Sequence, residues 1–317
     1  MQKHAMVLEK FGGRLTATVR TVPEPGPGEV LVHVVACGAG LTLESVRLGH
    51  LGGSTPRIMG HEFSGTVAAT GAGVDGWHEG EPVTGSFYLF CGNCVMCASG
   101  RETLCINNKG NIGAKIDGAF AEYVVVPARN LVRIPEGVVL REAGVIADAV
   151  ATPYHIARER AIAVERDPAK LLRLQEFAVD AIVDAASESW QADLVRAADG
   201  QLDAYIDFVG APVTIANGIA ALGRGGTFVV VGVLPGLRSD KSAVLSADPM
   251  YLVNKEITIM GTRYATRAEI ARSLGLVRDG KVKPIIGASF PLSQAEDALE
   301  AIRLNQVFGR VLIDCAG

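Results

Sequence analysis

Residues 204–233, AYIDFVGAPVTIANGIAALGRGGTFVVVGV, decide the fold of the second half of the chain. A β-branched run is followed by a segment with helical spacing and then by a second apolar run. A strand, a helix and a strand in this order form the unit that builds a parallel sheet with helices on its faces. The same alternation comes earlier, with strands predicted at 161–165 and 181–185 and helices at 167–177 and 189–198. The sequence therefore predicts a doubly wound α/β domain.

The residues before about position 150 have a different pattern. Short β-branched runs broken by Gly, Pro and Asp predict β-strands at 29–38, 64–71, 81–87 and 120–127. The segment 141–161 has apolar residues at intervals of three and four, which predicts a helix. The tail predicts a strand at 255–262, helices at 267–280 and 293–304, and a last strand at 309–315.

The composition excludes several classes of protein. The chain has 317 residues, is 49% hydrophobic and carries a net charge of -4. Its mean hydropathy is +0.27, so it has enough apolar residues to form cores, and general disorder is excluded. The absence of a basic run argues against nucleic acid as a partner, and the absence of a long apolar stretch argues against a membrane. We expect a cytoplasmic protein that acts on a small molecule.

Four of the six cysteines lie within 15 residues. The spacing is Cys91-x2-Cys94-x2-Cys97-x7-Cys105, which is typical of a metal site in a reducing compartment and not of a disulfide framework. Four thiolates satisfy the tetrahedral preference of zinc and leave no position open for a substrate. The spacing predicts a structural zinc site. The alternative is four buried cysteines that bind nothing.

The order of the motifs resembles the zinc-containing medium-chain alcohol dehydrogenase family. The resemblance rests on residues 25–38, the GHEFSG motif at 60–65, the cysteine segment, residues 117–131 and the strand–helix series. It implies a chaperonin-10-like β catalytic domain at 1–152 and 263–317, and a Rossmann domain at 153–262 that binds NAD or NADP. It also implies an active site between the domains and a homodimer or homotetramer. We expect the subunits to join along an edge strand at 225–233.

The resemblance also implies a catalytic zinc, bound in the family by a Cys, the His of the GHE motif, and a further Cys or acid. His61 and Glu62 match the motif, and Asp148 lies where the third ligand belongs. Gly40, however, stands where the first ligand cysteine is expected, and glycine has no side chain to offer a metal. Cys37 could replace it only with a shifted backbone.

Three alternatives therefore remain open for this site. In the first alternative His61, Glu62 and Asp148, with or without Cys37, bind zinc in an altered site. In the second alternative the metal is absent, and the site reduces its substrate through positioning and general acid chemistry. In the third, the fold persists without catalysis. The resemblance further implies that Thr42 is the hydroxyl that relays the proton. For His61 alone, a hydrogen-bonded structural histidine is an equal alternative.

The resemblance places the cofactor on the second domain. Glu165 is at the position that accepts the adenosine ribose hydroxyls and favours NAD, whereas the adjacent Arg166 could accept the 2′-phosphate of NADP. The other implied cofactor-binding residues are Thr152, Val209, Gly232, Val233 and, at the pyrophosphate, Arg310.

One part of the Rossmann pattern is missing. No G-x-G-x-x-G turn follows residue 152, and the chain passes directly into a segment that resembles the second Rossmann strand. The first strand, its turn and its helix are absent, a block of about 30 residues. Either the protein lacks this unit, or the sequence is closed over a segment that the protein has. The second alternative predicts a break between Arg160 and Ala163 and a chain heavier than 33.2 kDa.

Taken together, these patterns predict an oxidoreductase that transfers a hydride between nicotinamide and an alcohol or carbonyl carbon. A metal-free NAD(P)H-dependent reductase of enones or quinones is one alternative. A dinucleotide-binding protein without turnover is another.

Overall fold

The computed structural model describes residues 1–151, 161–177, 179–232, 245, 247–262 and 264–316. The chain divides into two compact units, one formed by Met1–His155 with Tyr264–Gly317 and the other by Ile156–Arg263. None of the helices formed by the described residues is long and apolar enough to cross a membrane.

The secondary structure agrees closely with the predicted order. The strands are β1 Gln2–Leu8, β2 Leu15–Thr21, β3 Glu29–Ala39, β4 Arg57–Ile58, β5 Glu62–Thr70, β6 Pro82–Gly85, β7 Tyr123–Pro127, β8 Leu131–Arg133, β9 Ile162–Glu165, β10 Ala181–Asp184, β11 Leu202–Asp207, β12 Leu222–Val230, β13 Thr258–Gly261, β14 Ile286–Pro291 and β15 Arg310–Asp314. The α-helices are α1 Thr42–Arg47, α2 Val95–Ala98, α3 Pro168–Leu174, α4 Trp190–Ala197, α5 Pro212–Ala221, α6 Pro249–Lys255, α7 Arg267–Arg278 and α8 Ala295–Arg303.

The first unit is built around the long strand β3. Its main sheet has the order β14-β15-β3-β5-β6-β8, with β7 also paired to β3. The 11 residues of β3 pair with β5, β7 and β15, all antiparallel. Because neighbouring strands satisfy its backbone on both sides, β3 is a rigid support. Val30, Val32, Val34 and Ala36 along it are completely buried, and its last residues hold the site described below.

The second unit contains two separate parallel ladders. β10 pairs with β9, and β11, β12 and β13 form a three-stranded sheet in that order. Among the described residues no ladder joins the two. A doubly wound sheet has the strand order 3-2-1-4-5-6, so β10-β9 and β11-β12-β13 correspond to 3-2 and 4-5-6. The missing position is that of the first strand, as the sequence predicts.

Side chains at the helix starts explain several of the boundaries. Asp167 accepts hydrogen bonds from the amides of Ala169 and Lys170 at the start of α3, and Asp248 caps α6 in the same way. Thr266 and Glu269 form a reciprocal capping box at the start of α7. These side chains satisfy amide groups that have no partner within the helix.

Two expectations about secondary structure need correction. The strand expected at an edge, within 225–233, is β12, and it is paired on both sides, by β11 and by β13. It is therefore not an edge strand, so the premise of that expectation was wrong, and the homodimer or homotetramer itself stays a prediction. The helix predicted from residue 141 begins instead as a 3₁₀ turn at Glu142–Val145 and a π-helical turn at Ile146–Val150. The break expected between Arg160 and Ala163 begins outside the described residues and stays a prediction.

Candidate functional site

The four cysteines of the predicted zinc site come together. All four sulfur atoms lie within 4.8 Å of one another. The Sγ–Sγ distances are 3.5 Å for Cys94–Cys97, 3.9 Å for Cys94–Cys105 and 4.0 Å for Cys91–Cys97. Four ligands at the zinc–sulfur distance of ~2.3 Å in a tetrahedron lie about 3.8 Å apart. The sulfurs are thus already arranged as zinc requires.

The cysteines of this cluster differ in acidity. The backbone N–H of Cys97 lowers the pKa of Cys94 to about 6, whereas burial raises the pKa of Cys97 to about 12. A metal binds cysteines as thiolates, so any cysteine of the cluster that is still protonated loses its proton when a metal binds. None of the six cysteines of the chain is in a disulfide. The cluster is suited to a structural zinc ion, which would fix the segment around α2.

A second group of residues lies at the end of β3, where two glycines form a slot. Gly38 and Gly40 are two residues apart, so side chains at both would point to the same face. A Cβ on Gly38 would lie 2.6 Å from Oε2 of Glu62, and a Cβ on Gly40 would lie 2.1 Å from Nη1 of Arg310. Strand register explains these neighbours, because Gly38 pairs with Glu62 and Val311 pairs with Ala39. Arg310 therefore comes opposite Gly40.

Glu62 is the centre of a buried ionic network. Its side chain is 0% exposed, and Oε1 accepts hydrogen bonds from the amides of Asp148 at 2.9 Å and Ala149 at 3.0 Å. Oε2 accepts from Nη2 of Arg310 at 2.5 Å, and Nη2 also lies 3.2 Å from Oδ2 of Asp148. Burial lowers the pKa of Arg310 but the two carboxylates raise it, with a net direction upward, so the guanidinium remains charged.

His61 lies beside this network and is 2% exposed. Its Nε2 is 3.8 Å from Oδ2 of Asp148, too far for a hydrogen bond. Neither ring nitrogen has a hydrogen-bond partner among the described residues. The ring packs edge-on against Phe87, with centroids 4.6 Å apart. A buried polar group without a partner is costly, so this imidazole is suited to bind a group that arrives from outside.

The residues present do not fit a catalytic zinc ion. An open catalytic site needs about three protein ligands. Both oxygens of Glu62 already accept hydrogen bonds, and Oδ2 of Asp148 accepts one from Nη2 of Arg310 at 3.2 Å. Of the three, only His61 has no hydrogen-bond partner among the described residues. The space that a ligand side chain at position 40 would need is occupied by the positively charged guanidinium of Arg310. Among the described residues, the cysteine cluster is the one group in which at least three such donors converge.

Cys37 does not join His61 and Asp148. It is completely buried within the hydrophobic core of the first unit. Its Sγ lies against Gly60, where a Cβ added to the glycine would be only 3.0 Å away. Burial raises the pKa of the Cys37 thiol well above its usual range. A metal binds the thiolate, so this cysteine is poorly suited to replace the missing ligand. Thr42 is the first residue of α1, two positions after Gly40, and is half-buried.

The cofactor residues predicted in the second unit lie at the carboxyl ends of its strands. Glu165 ends β9 and is half-buried, and its Oε1 accepts hydrogen bonds from the amides of Arg166 and Asp167. Val209 follows β11, and Gly232 follows β12. Thr152 and Val233 lie outside the described residues. Ligands of doubly wound sheets bind at this edge, which is where these predicted cofactor residues lie.

Gly232 shows why no larger residue fits there. A Cβ on it would lie 1.7 Å from the carbonyl oxygen of Phe208. The nearby turn is shaped by Asp207, which is 2% exposed and accepts hydrogen bonds from the amides of Val209 and Gly210 and from the hydroxyl of Thr214. Sequence reasoning missed Asp207. The signal was an Asp at the end of a predicted strand, three residues before a glycine.

Both units match models of known families. Residues 26–136 match the alcohol dehydrogenase GroES-like domain, and residues 144–279 match the zinc-binding dehydrogenase domain. An alcohol dehydrogenase of Moraxella sp. (strain TAE123) is 31% identical, with 98% of each chain covered. An L-threonine 3-dehydrogenase of Pyrococcus furiosus is 28% identical, with 92% of each covered. A crystal structure of an NAD-dependent alcohol dehydrogenase superimposes with a TM-score of 0.87 at 26% identity, covering 99% of this chain and 100% of the other.

The sequence alignment with a relative also gives the size of the missing strand–turn–helix unit. The alignment with the Moraxella protein has 343 positions and covers 98% of this 317-residue chain. Roughly 30 of its positions therefore have no residue of this chain opposite them, about the size of one βα unit. The two units, their order and the cysteine cluster agree with the resemblance inferred from the motifs. The chain belongs to the zinc-containing medium-chain alcohol dehydrogenase family.

Proposed function

We propose that this protein is an oxidoreductase that moves a hydride between a nicotinamide cofactor and the carbon of an alcohol or carbonyl substrate. The observation that carries the proposal is the buried imidazole of His61, which has no hydrogen-bond partner among the described residues and lies beside the Glu62–Arg310–Asp148 network, at the GHE motif of a dehydrogenase fold. A protein that only binds a dinucleotide has no need of a buried hydrogen-bond donor, such as the His61 ring, that has no hydrogen-bond partner. The cysteine cluster supports a structural zinc, and the cysteine chemistry supports a cytoplasmic location.

The cofactor would supply the hydride chemistry when bound. Glu165, Val209 and Gly232 would hold its ribose and amide groups, and the carboxylate of Glu165 favours NAD because it would repel a 2′-phosphate. In the first unit, His61 would donate a hydrogen bond to the substrate oxygen, and the Thr42 hydroxyl would pass a proton to or from that oxygen. Glu62 would hold the Asp148 backbone and the Arg310 guanidinium in place.

The lack of a side chain at Gly40, beside the guanidinium of Arg310, favours a second candidate reaction. Since no zinc ligand is present at position 40, ionisation of an alcohol by a metal is not supported here. Reduction of a carbon–carbon double bond conjugated to a carbonyl needs only a hydrogen-bond donor at the oxygen. This candidate matches the metal-free enone reductase predicted as an alternative from the sequence.

One assay tests both candidates. NADH or NADPH oxidation is followed at 340 nm with a panel of aldehydes, ketones and enones, and the products are identified by mass spectrometry. A saturated alcohol as product supports the first reaction, and a saturated ketone from an enone supports the second. Binding of NADH without oxidation by any substrate class would instead support the dinucleotide-binding alternative, and absence of NADH binding would contradict the whole proposal.

A further inference from the structure

The first unit contains a cavity of about 400 Å³ that is separate from both sites described above. It is lined by the β1–β2 hairpin and by the chain segments at the ends of β14 and β15. None of the residues that line it belongs to the group around His61 or to the cysteine cluster. Pockets that bind small molecules have volumes of ~300–1,000 Å³, so this cavity is large enough for such a ligand.

The strand register and the side-chain sizes explain why the space stays open. β14 and β15 are parallel, and Pro291 pairs with Asp314 at their ends, so the chain leaves both strands at the same place. On the opposite wall, Met6 of β1 pairs with Ala17 of β2. Small side chains meet between these segments, namely those of Ala5, Ala17, Ser293 and Ala316. The cavity is therefore formed by the backbone arrangement and needs no movement to open.

Most of the lining is apolar. Met6, Val19 and Leu292 contribute aliphatic surface. Cys315 also lines the cavity, is 1% exposed, and directs its thiol to the carbonyl oxygen of Ala119 at 3.4 Å. Burial raises the pKa of this thiol, so it remains uncharged. A ligand of this cavity therefore needs an apolar body.

The charged side chains on the lining are two carboxylates and an imidazole, those of Glu122, Asp314 and His4, and the lining contains no lysine or arginine. Asp314 already forms a bidentate pair with Arg141, at 2.5 and 2.8 Å. Glu122 accepts a hydrogen bond from the His4 amide at 2.6 Å and lies 3.3 Å from Nδ1 of His4, whose side chain is 74% exposed.

Glu122 gives the cavity a negative charge. Burial raises the pKa of this carboxyl group, but the hydrogen bonds from His4 lower it further, and the net direction is downward. Glu122 is therefore ionised at neutral pH. Among the described residues, no guanidinium or ammonium group forms an ion pair with it. A cationic group on a ligand would supply the charge that this wall lacks.

We propose that the cavity binds an organic cation, in which an ammonium group contacts Glu122 and an apolar body packs against Met6 and Leu292. A hydrogen bond from an ammonium group to a carboxylate is stronger than one between neutral groups, and the apolar body gains free energy by leaving water. A ligand with a carboxylate head group would be repelled by Glu122. The site lies outside the residues of the proposed function, so it stands or falls independently of that function.

Three compounds that share one apolar body and differ in their head group test the charge. They are 4-phenylbutylamine, 4-phenylbutanol and 4-phenylbutanoate, and their affinities are measured by isothermal titration calorimetry on the purified full chain without cofactor. We expect the amine to bind about tenfold or more tightly than the alcohol, and the carboxylate to bind most weakly. Equal affinities of the amine and the alcohol would overturn the inference.

Variants of the lining locate the binding. Glu122→Gln keeps an oxygen for the His4 amide but removes the charge, and it is expected to abolish the tenfold preference for the amine. Ala17→Trp fills the cavity and should remove amine binding. Thr16→Trp is the matched control, because Thr16 is the exposed neighbour on β2 and does not line the cavity. Unchanged amine affinity in Ala17→Trp would refute the proposal, even if Glu122→Gln does not fold.

A second copy of the chain is the other occupant that the experiment can reveal. Analytical ultracentrifugation of the wild type and of the two tryptophan variants measures this. If the amine does not bind, and Ala17→Trp but not Thr16→Trp changes the oligomeric state, then another subunit covers the cavity and the inference of a small-molecule site is wrong. Amine binding with the same oligomeric state in all three proteins supports it.

Discussion

Replacing Glu62 with alanine should destabilise the first unit strongly, because three hydrogen bonds end on this carboxylate. The amides of Asp148 and Ala149 would lose their acceptor, and the guanidinium of Arg310 would lose its closest counter-charge. Removing one partner of a buried ion pair costs about 3–5 kcal/mol. For a unit of this size, each kcal/mol lowers the unfolding temperature by about 2–4 °C. We therefore expect a decrease on the order of 10 °C.

The two tryptophans of the chain allow each unit to be followed separately. Trp77 belongs to the first unit and Trp190 to the second. In a Trp190→Phe background, the fluorescence of Trp77 reports urea or thermal unfolding of the first unit. Glu62→Gln, which keeps one acceptor oxygen, should fall between wild type and Glu62→Ala.

The control for this experiment is an exposed ion pair of the same unit. Arg278 and Asp279 form such a pair, with side chains 49% and 42% exposed, and Asp279→Asn should leave the unfolding midpoint unchanged. If Glu62→Ala unfolds within about 1 kcal/mol of wild type, in the range typical of surface pairs, then the network does not hold the site together and the reasoning fails.

Four further outcomes are expected. Cys94→Ser should lose one metal equivalent per chain by elemental analysis and unfold at a lower temperature, and an unchanged metal count would contradict the zinc assignment. Arg310→Lys keeps the charge but loses the planar group that pairs with Glu62 and Asp148, so the first unit should lose about 1–3 kcal/mol of stability, measured through Trp77; an unchanged midpoint would refute this role. Glu165→Ala should weaken NADH binding roughly tenfold or more in a fluorescence titration and leave NADPH binding less affected; parallel losses would count against ribose recognition. Gly218→Ala would place a Cβ 2.5 Å from the Tyr205 ring and should cost about 1–3 kcal/mol of overpacking, measured through Trp190 in a Trp77→Phe background; an unchanged midpoint would show that the helix can move away.

The sequence predicted those features that depend on spacing along the chain. The cysteine segment, the strand–helix alternation and the missing first strand were all visible as local patterns, and the structure or the comparisons agree with them. Gly40 was visible as a departure from the family motif. The proximity of the Arg310 guanidinium to Gly40 was not visible, since Arg310 is 270 positions away in the chain and reaches Gly40 only through the register of β15 on β3.

Two other features were hidden for similar reasons. The apolar run at 225–233 looked like an edge strand, but the parallel partners of β12 on each side are contributed by strands distant in sequence. The segment from residue 141 has helical spacing, yet its carbonyl and amide groups form a 3₁₀ and then a π-helical turn. That turn presents the amides of Asp148 and Ala149 to Glu62, so a tertiary contact decides the local geometry.

The separation of the second unit into two ladders has a mechanical consequence. Helices α4 and α5 pack against each other, and Trp190, Leu194 and Ile215 belong to one apolar cluster with residues of both ladders. Two strand ladders held together by side-chain packing move relative to each other more easily than strands within one ladder, because no backbone hydrogen bond between them has to break. A dinucleotide that contacted the carboxyl ends of both ladders would hold them together and stabilise the second unit.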